Sequence, residues 1–300
     1  MSNSLKEIRQ QIVSVKNVQK TTRAMKLVAN SKLKKAVEIA RRSKIYDEKL
    51  NKVFLEIVQK ISSSGCVFDK NDILFIDKDR VVKMVDIIFI TSDKGLCGAF
   101  NSSTIKHVLS VMNEYKTKGI KIRLRGIGKK GIAYFNFNDI ELYDKSMNLA
   151  SNPDEYCAAN FIMKAIEDYI NGITDKIIII HNGFKNMLSQ EVKITEILPL
   201  NIDIDNVSKI KDDGDILIEP EEGQKAILEE LAKQYISYNM FYALLDSLAA
   251  ELSARMQAMD IATKNASELV KELTVKHNKA RQASITTELV EINAGVEAIK

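Results

Sequence analysis

The apolar positions of this chain fall into three stretches of different period. Near the start, Leu5, Ile8, Ile12, Val15, Val18, Met25, Val28, Leu33, Val37 and Ala40 step mostly by three and four, with Lys, Arg, Gln and Asn on the remaining faces. Near the other end Leu245, Leu248, Leu252, Met256, Met259, Ala266, Val270 and Leu273 repeat the step. Neither Gly nor Pro interrupts the chain before Gly65, or between Gly223 and Gly295. At 1.5 Å per residue this predicts two helices of about 90 and 100 Å, too long to be buried in one core. Two narrow stripes, one at each end, read as an antiparallel coiled coil closing the chain on itself. Thr22, Thr263, His277 and Ser284 fall where a tight dimer would want Leu or Ile, which favours an intramolecular pair with an uneven interior and a thin tip needing support from another protein.

Between these helices the period changes. Val85–Thr91 and Lys176–His181 are short continuous apolar runs, read as buried strands of a parallel sheet, with 121–125 and 140–143 as neighbouring strands. Helices are expected at 102–116 and at 153–171, where Asn152 would cap and Pro153 would take the first helical position. Residues 190–198 and 216–218 read as further extended segments, and 62–83 as a linker. The fold class is therefore α/β: a long antiparallel coiled coil of the terminal helices plus a mainly parallel-sheet, Rossmann-like α/β domain. The expected division is 1–62 for the N-terminal coiled-coil helix, 63–220 for linker and α/β domain, and 221–300 for the C-terminal helix pairing with 1–62.

Charge sharpens this picture. Residues 1–50 hold 13 Lys and Arg against 4 Asp and Glu, so a chain of net charge +4 carries its positive excess on one helix. Such a stripe suits nucleic acid, an acidic membrane surface or an acidic protein partner, or is simply a solvated face. Its first aromatic is Tyr46, so the base-stacking residues of single-strand binders are absent and nucleic acid is the weaker option. No run of 18 uncharged apolar residues exists to span a membrane, and Met1–Gln11 is too polar for a signal peptide. Cys66, Cys97 and Cys157 suit reduced thiols, and His107, His181 and His277 form no ligand motif.

Two motifs invite an enzyme reading. Gly126, Gly128 and Gly131 fit G-x-G-x-x-G after an expected strand, with Asp144 about 18 residues on, as in a dinucleotide site. Only about eight residues, 129–136, remain for the crossover helix, so glycines that turn the chain are the simpler explanation. In the segment 92–101, SDKGLCGAFN, Cys97 could be a nucleophile and Asp93 with Lys94 an acid/base pair, but no His stands close in sequence. A structural turn or docking loop is the better reading there.

Three segments together carry a resemblance. Arg9 to Ile12, Ser14 to Asn17, Lys20 to Ala29 and Lys32–Leu33 resemble the N-terminal helix of the gamma subunits of F-type ATP synthases. The 92–101 loop looks like that family's central signature, and Ala254–Met259, Ala262–Ala266 and Asn278–Ile292 its C-terminal helix. Small departures are Thr21, where Ile is usual, His277, where Tyr is common, and Val296, where Ala normally follows the glycine.

The resemblance implies a rotor shaft: a non-catalytic subunit of the proton-transporting complex, coupling proton flow to ATP synthesis and hydrolysis on the beta subunits. It implies as partners three alpha and three beta subunits per chain, an epsilon subunit and the membrane c-ring, with no nucleic acid, no cofactor and no membrane span of its own. It implies that Arg281, Gln282 and Thr286 hydrogen-bond beta-subunit loops, and that Lys20, Arg23, Met25 and Lys26 lie near an acidic region of beta. For epsilon and the ring it offers Asp93, Lys94, Asn101 and Glu196. The expected location is peripheral, on the cytoplasmic face of a bacterial inner membrane. A nucleotide-binding α/β enzyme with a coiled-coil arm and a basic coiled-coil nucleic-acid adaptor are the competing readings.

Overall fold

The computed structural model describes residues 2–63, 81–200 and 224–298. In chain order the elements are α1 (Ser2–Ser63), β1 (Met84–Ile90), α2 (Phe100–Thr117), β2 (Lys121–Ile127), α3 (Lys129–Phe137), β3 (Asp144–Ser146), α4 (Glu155–Ile170), β4 (Lys176–Asn186), β5 (Ser189–Leu198) and α5 (Gln224–Ala298). They form two compact units, one of residues 32–254 and one of residues 1–31 with 255–300. The 216–218 segment and most of the 62–83 linker lie outside the described residues.

The larger unit is built on a five-stranded sheet of order β3-β2-β1-β4-β5, parallel except for β5, which runs antiparallel to β4. Strand periodicity divides its core into two layers. On one face Ile88, Ile90, Ile127, Ile177 and Ile179 pack on Ala158, Phe161, Ile162, Ala165 and Ile166 of α4 and on Ala232, Ile236, Met240 and Leu244 of α5. On the other, Val85, Ile87, Phe89, Leu124, Ile178 and Ile180 meet Val108, Val111 and Met112 of α2 and Phe135 of α3. The continuous apolar runs of β1 and β4 follow from burial on both faces.

Two local expectations need correction. The 140–143 stretch is not a strand: Ile140 N–H still bonds Phe135 C=O as the chain leaves α3, and the edge strand begins only at Asp144. Helix α4 is capped by Asp154, whose carboxylate accepts from the Cys157 N–H at 2.9 Å, and not by Asn152. The Asp154 carboxylate also faces the positive end of the helix, and with the cap at Asp154 Pro153 falls before the helix and not in its first turn.

The smaller unit is an antiparallel helix pair. Its inner positions on α1 are Leu5, Ile8, Ile12, Val15, Gln19, Thr22, Met25, Lys26, Ala29 and Asn30, while Val18 and Val28 are exposed. On α5 they include Met256, Met259, Thr263, Ala266, Val270, Leu273, His277, Ala280, Ser284 and Thr287. A strict alternation of three and four selects these positions. Following the bulkiest aliphatic at each turn wrongly puts Val18 and Val28 in the seam, because the seam takes Gln19 and Ala29 at those levels.

Candidate functional site

Two polar pairs cross the helix seam. Thr263 Oγ1 donates to Thr22 Oγ1 at 2.8 Å, and Lys26 Nζ lies 2.6 Å from Asp260 Oδ1, with Lys264 Nζ 3.1 Å from the other oxygen. The Lys26 ammonium, with Lys264 beside it, holds the Asp260 carboxyl below the usual carboxylate range. These pairs fix one register for two helices whose apolar stripe is thin.

Of the residues expected on the shaft, Lys20 and Arg23 are exposed on α1, whereas Met25 and Lys26 are half-buried against α5. Arg281, Gln282 and Thr286 are all exposed on α5. Helical spacing puts them on one side with the exposed Ile285 and Leu289, and the Thr286 hydroxyl donates to the Gln282 C=O. This face offers a guanidinium, an amide and two apolar side chains to whatever meets it.

The glycine motif has a packing explanation. A Cβ at Gly126 would lie 2.6 Å from the Phe89 ring, and one at Gly131 2.6 Å from Thr91 Oγ1. At Gly128, where φ is 97°, it would lie 1.9 Å from the Thr91 carbonyl oxygen. The glycines let the turn from β2 into α3 close directly onto β1. The first three N–H groups of α3, which in a dinucleotide site face pyrophosphate, are already taken. Lys129 N–H donates to Asp93 Oδ1, Lys130 N–H to the Ser92 C=O and Gly131 N–H to Thr91 Oγ1, at 3.0 to 3.1 Å.

Asp93 does more than cap that helix. Its carboxylate, 9% exposed, also accepts from Asn148 N–H and Ser151 N–H at 3.1 Å and from Ser151 Oγ at 2.7 Å. It ties together the loops that follow β1, β2 and β3, leaving no free oxygen for proton transfer. Asn101 is also turned inward, accepting from Ser92 N–H and donating to Ser92 Oγ and Cys97 Sγ. Cys97 packs beside Phe100, Ala250, Ala254 and Phe184 with its sulfur toward Ser92 and Asn101, neither of which is a base. On this loop the side chains of Lys94, Leu96 and Ala99 are exposed. Glu196, on β5, is half-exposed and pairs with Lys176 across the strand ladder.

Two clusters escaped sequence reasoning. On the α4 face of the sheet the Asp86 carboxylate binds Arg123 at 2.7 Å and the 1%-exposed Arg125 at 2.9 Å. Asp168 of α4 closes the network and the Tyr143 ring stacks over both guanidinium groups. Further along, Asp246 of α5 accepts from His181 Nε2 at 3.3 Å, Phe184 N–H at 3.0 Å and Lys193 Nζ at 2.6 Å. Burial pushes the Asp246 carboxyl up, but the hydrogen bonds from His181 and Lys193 outweigh it and hold the group below the usual range. These partners lie 53 to 65 residues from Asp246 in sequence, so no local motif announces them.

A family model described as ATP synthase matches residues 4–299. The gamma chain of ATP synthase from Wolinella succinogenes is 57% identical over 300 residues, all of both chains. The chain belongs to the ATP synthase gamma-chain family. A Helicobacter pylori gamma chain is 56% identical over 99% of each chain. In fold, the gamma-chain architecture is shared with a chain of the Euglena gracilis mitochondrial ATP synthase, at TM-score 0.71 and 19% identity over 100% of this chain and 95% of that one. It is also similar to a chain of the Tetrahymena thermophila mitochondrial ATP synthase central stalk and c-ring, at TM-score 0.57 and 27% identity over 81% and 99% of the two chains. As a gamma chain it is the central rotor shaft of the synthase and not its catalytic subunit.

Proposed function

We propose that this chain turns inside a sleeve of three alpha and three beta subunits, and that its foot carries an epsilon subunit and seats on the membrane c-ring. Rotation driven by proton flow presents different sides of the helix pair to each beta subunit in turn. Differential contact with successive conformations is what allows a shaft to shift their populations. Contacts with beta are assigned to Arg281, Gln282 and Thr286 on α5 and to Lys20, Arg23, Met25 and Lys26 on α1. Arg281 offers a planar fork suited to a carboxylate, so Arg281→Lys is not conservative there. Epsilon and ring contacts are assigned to the Asp93–Asn101 loop, through Lys94, and to Glu196. The reading needs no cofactor and no nucleic acid.

The observation that carries it is full-length identity of 57% to a named gamma chain, joined to an antiparallel helix pair whose seam holds the polar pairs Thr22–Thr263 and Lys26–Asp260. A peripheral position on the cytoplasmic face of a bacterial inner membrane is consistent with the absence, among the described residues, of any helix long and apolar enough to cross a bilayer. The test is ATP hydrolysis by cognate alpha and beta subunits co-expressed with and without the chain, after size-exclusion chromatography. Co-elution at one chain per three alpha-beta pairs with raised activity is expected. Separate elution and unchanged activity would reject the reading.

A further inference from the structure

We infer that the β4–β5 hairpin is a two-point clasp that locks α5 against rotation about its own axis, with Asp246 and Ser253 as positioning residues for torque transmission. The inference rests on the rotor reading and extends it to the place where the shaft helix is held.

From Ala243 to Ala254 helix α5 is buried on nearly every side, and most of its own residues there are alanine and leucine. The hydrophobic effect is non-directional and apolar side chains resist rotation only through the fit of their shapes. Hydrogen bonds weaken steeply as their angle closes, so they add a directional restraint on rotation. The hairpin supplies such bonds at two levels. At the first, the Asp246 carboxylate is caught by three donors from both strands, His181 and Phe184 of β4 and Lys193 of β5. At the second, Ser253 Oγ accepts from Gln190 Nε2 at 3.2 Å and donates to the Met187 C=O at 3.0 Å. Seven residues separate the two, which is close to two full turns, so both grips lie on one side of the helix about 10 Å apart. Two fixed points on one side define both the angle and the axial position of a rod.

Gly183 makes the close approach possible. A Cβ there would stand 2.6 Å from Asp246 Oδ2 and 2.6 Å from Lys193 Cε, so a side chain at 183 would displace the Asp246 carboxylate and the Lys193 side chain from their contact. His181 Nδ1 is buried and has no hydrogen-bond partner among the described residues. An imidazole held in that condition is placed for its Nε2 contact with Asp246, since burying an unmatched ring nitrogen is itself unfavourable. Helix α5 continues unbroken from these grips to Ala298.

The test uses the complete synthase reconstituted in liposomes, with ATP hydrolysis and proton uptake measured on the same vesicles. The wild-type complex must hydrolyse and pump; if it hydrolyses without pumping, the rotor reading itself fails and the clasp is not at issue. Asp246→Leu should retain hydrolysis and lose pumping. Wild-type protons moved per ATP in that variant would overturn the clasp. Should Asp246→Leu fail to assemble, the decision passes to Gly183→Cys paired with Asp246→Cys, in a chain whose Cys66 and Cys157 are serine. A covalent bridge there replaces the polar grip, so pumping should be present when the pair is oxidised and lost when it is reduced. Equal pumping in the two redox states would also overturn the proposal.

Discussion

At the scale of single residues, the chemistry of this molecule lies in carboxylates that face inward. Asp93 accepts four hydrogen bonds from two other loops, and hydrogen bonds to a charged acceptor contribute about 1.5–3 kcal/mol each before coupling between them. Asp93→Ala leaves the N–H groups of Lys129, Asn148 and Ser151 without that acceptor, and a loss of about 3 kcal/mol is expected in denaturant unfolding of the purified chain. Formate should restore part of the loss and chloride should not, because the vacated position fits a planar carboxylate. Asp246 gives a pH dependence of definite sign. Its folded-state value is lowered, so its contribution is fully present above the unfolded value of about 3.9 and fades as pH falls through the lower folded value. The stability gap between wild type and Asp246→Asn should therefore be constant near neutrality and narrow below about pH 3.9. A gap that widens on acidification would contradict the assignment. Little of this was legible beforehand. Asp93 could be singled out, because it follows a strand and precedes glycines, but its partners come from two other loops. Asp246 is one acid on a long helix, and only the fold brings His181 and Lys193 to it.

At the scale of elements, the glycines separate two kinds of constraint. Gly128 combines φ 97° with a Cβ position 1.9 Å from the Thr91 carbonyl oxygen, so Gly128→Ala must displace β1 or α3 and should cost more than about 3 kcal/mol. Gly172, at φ 71° with open space around it, has only the backbone to satisfy, and Gly172→Ala should cost about 1 kcal/mol. Thermal unfolding of the two variants side by side checks the ranking; equal losses would mean that close approach to Thr91 is not the constraint. Strands β1 and β4 were readable because burial on both faces leaves an unbroken apolar run. Strand β3 was not, since its Asp144-Lys145-Ser146 sequence carries no apolar signal and its place is set by pairing with Arg125–Ile127 of β2. The seam of the helix pair was half readable. Spacing selects it, but Gln19, Thr22 and Lys26 occupy inner positions because Thr263 and Asp260 match two of them from the other helix.

At the scale of the whole molecule, distributed contact predicts unequal sensitivity along the shaft. Single alanines at Lys20 or Arg23 should reduce coupled ATP synthesis only modestly, since an exposed charge pair contributes about 0–1 kcal/mol. Arg281→Ala, or removal of the chain from Leu273 onward, should reduce it much more, because the exposed face bearing Arg281, Gln282, Ile285 and Leu289 goes with it. Synthesis rates in membranes from complemented cells compare these variants; full activity in both of the last two would reject the assignment of that face. The fold class, long terminal helices with a mainly parallel sheet between them, was the most legible level of all, because period and the distribution of glycine and proline change together along the chain. The inward Asp93 has a consequence at this scale as well. By placing its own carboxylate on the Lys129 N–H at the start of α3, the chain supplies from within the negative charge that a helix N-terminus attracts, and commits to cohesion of its loops a position that a dinucleotide site would keep open for phosphate.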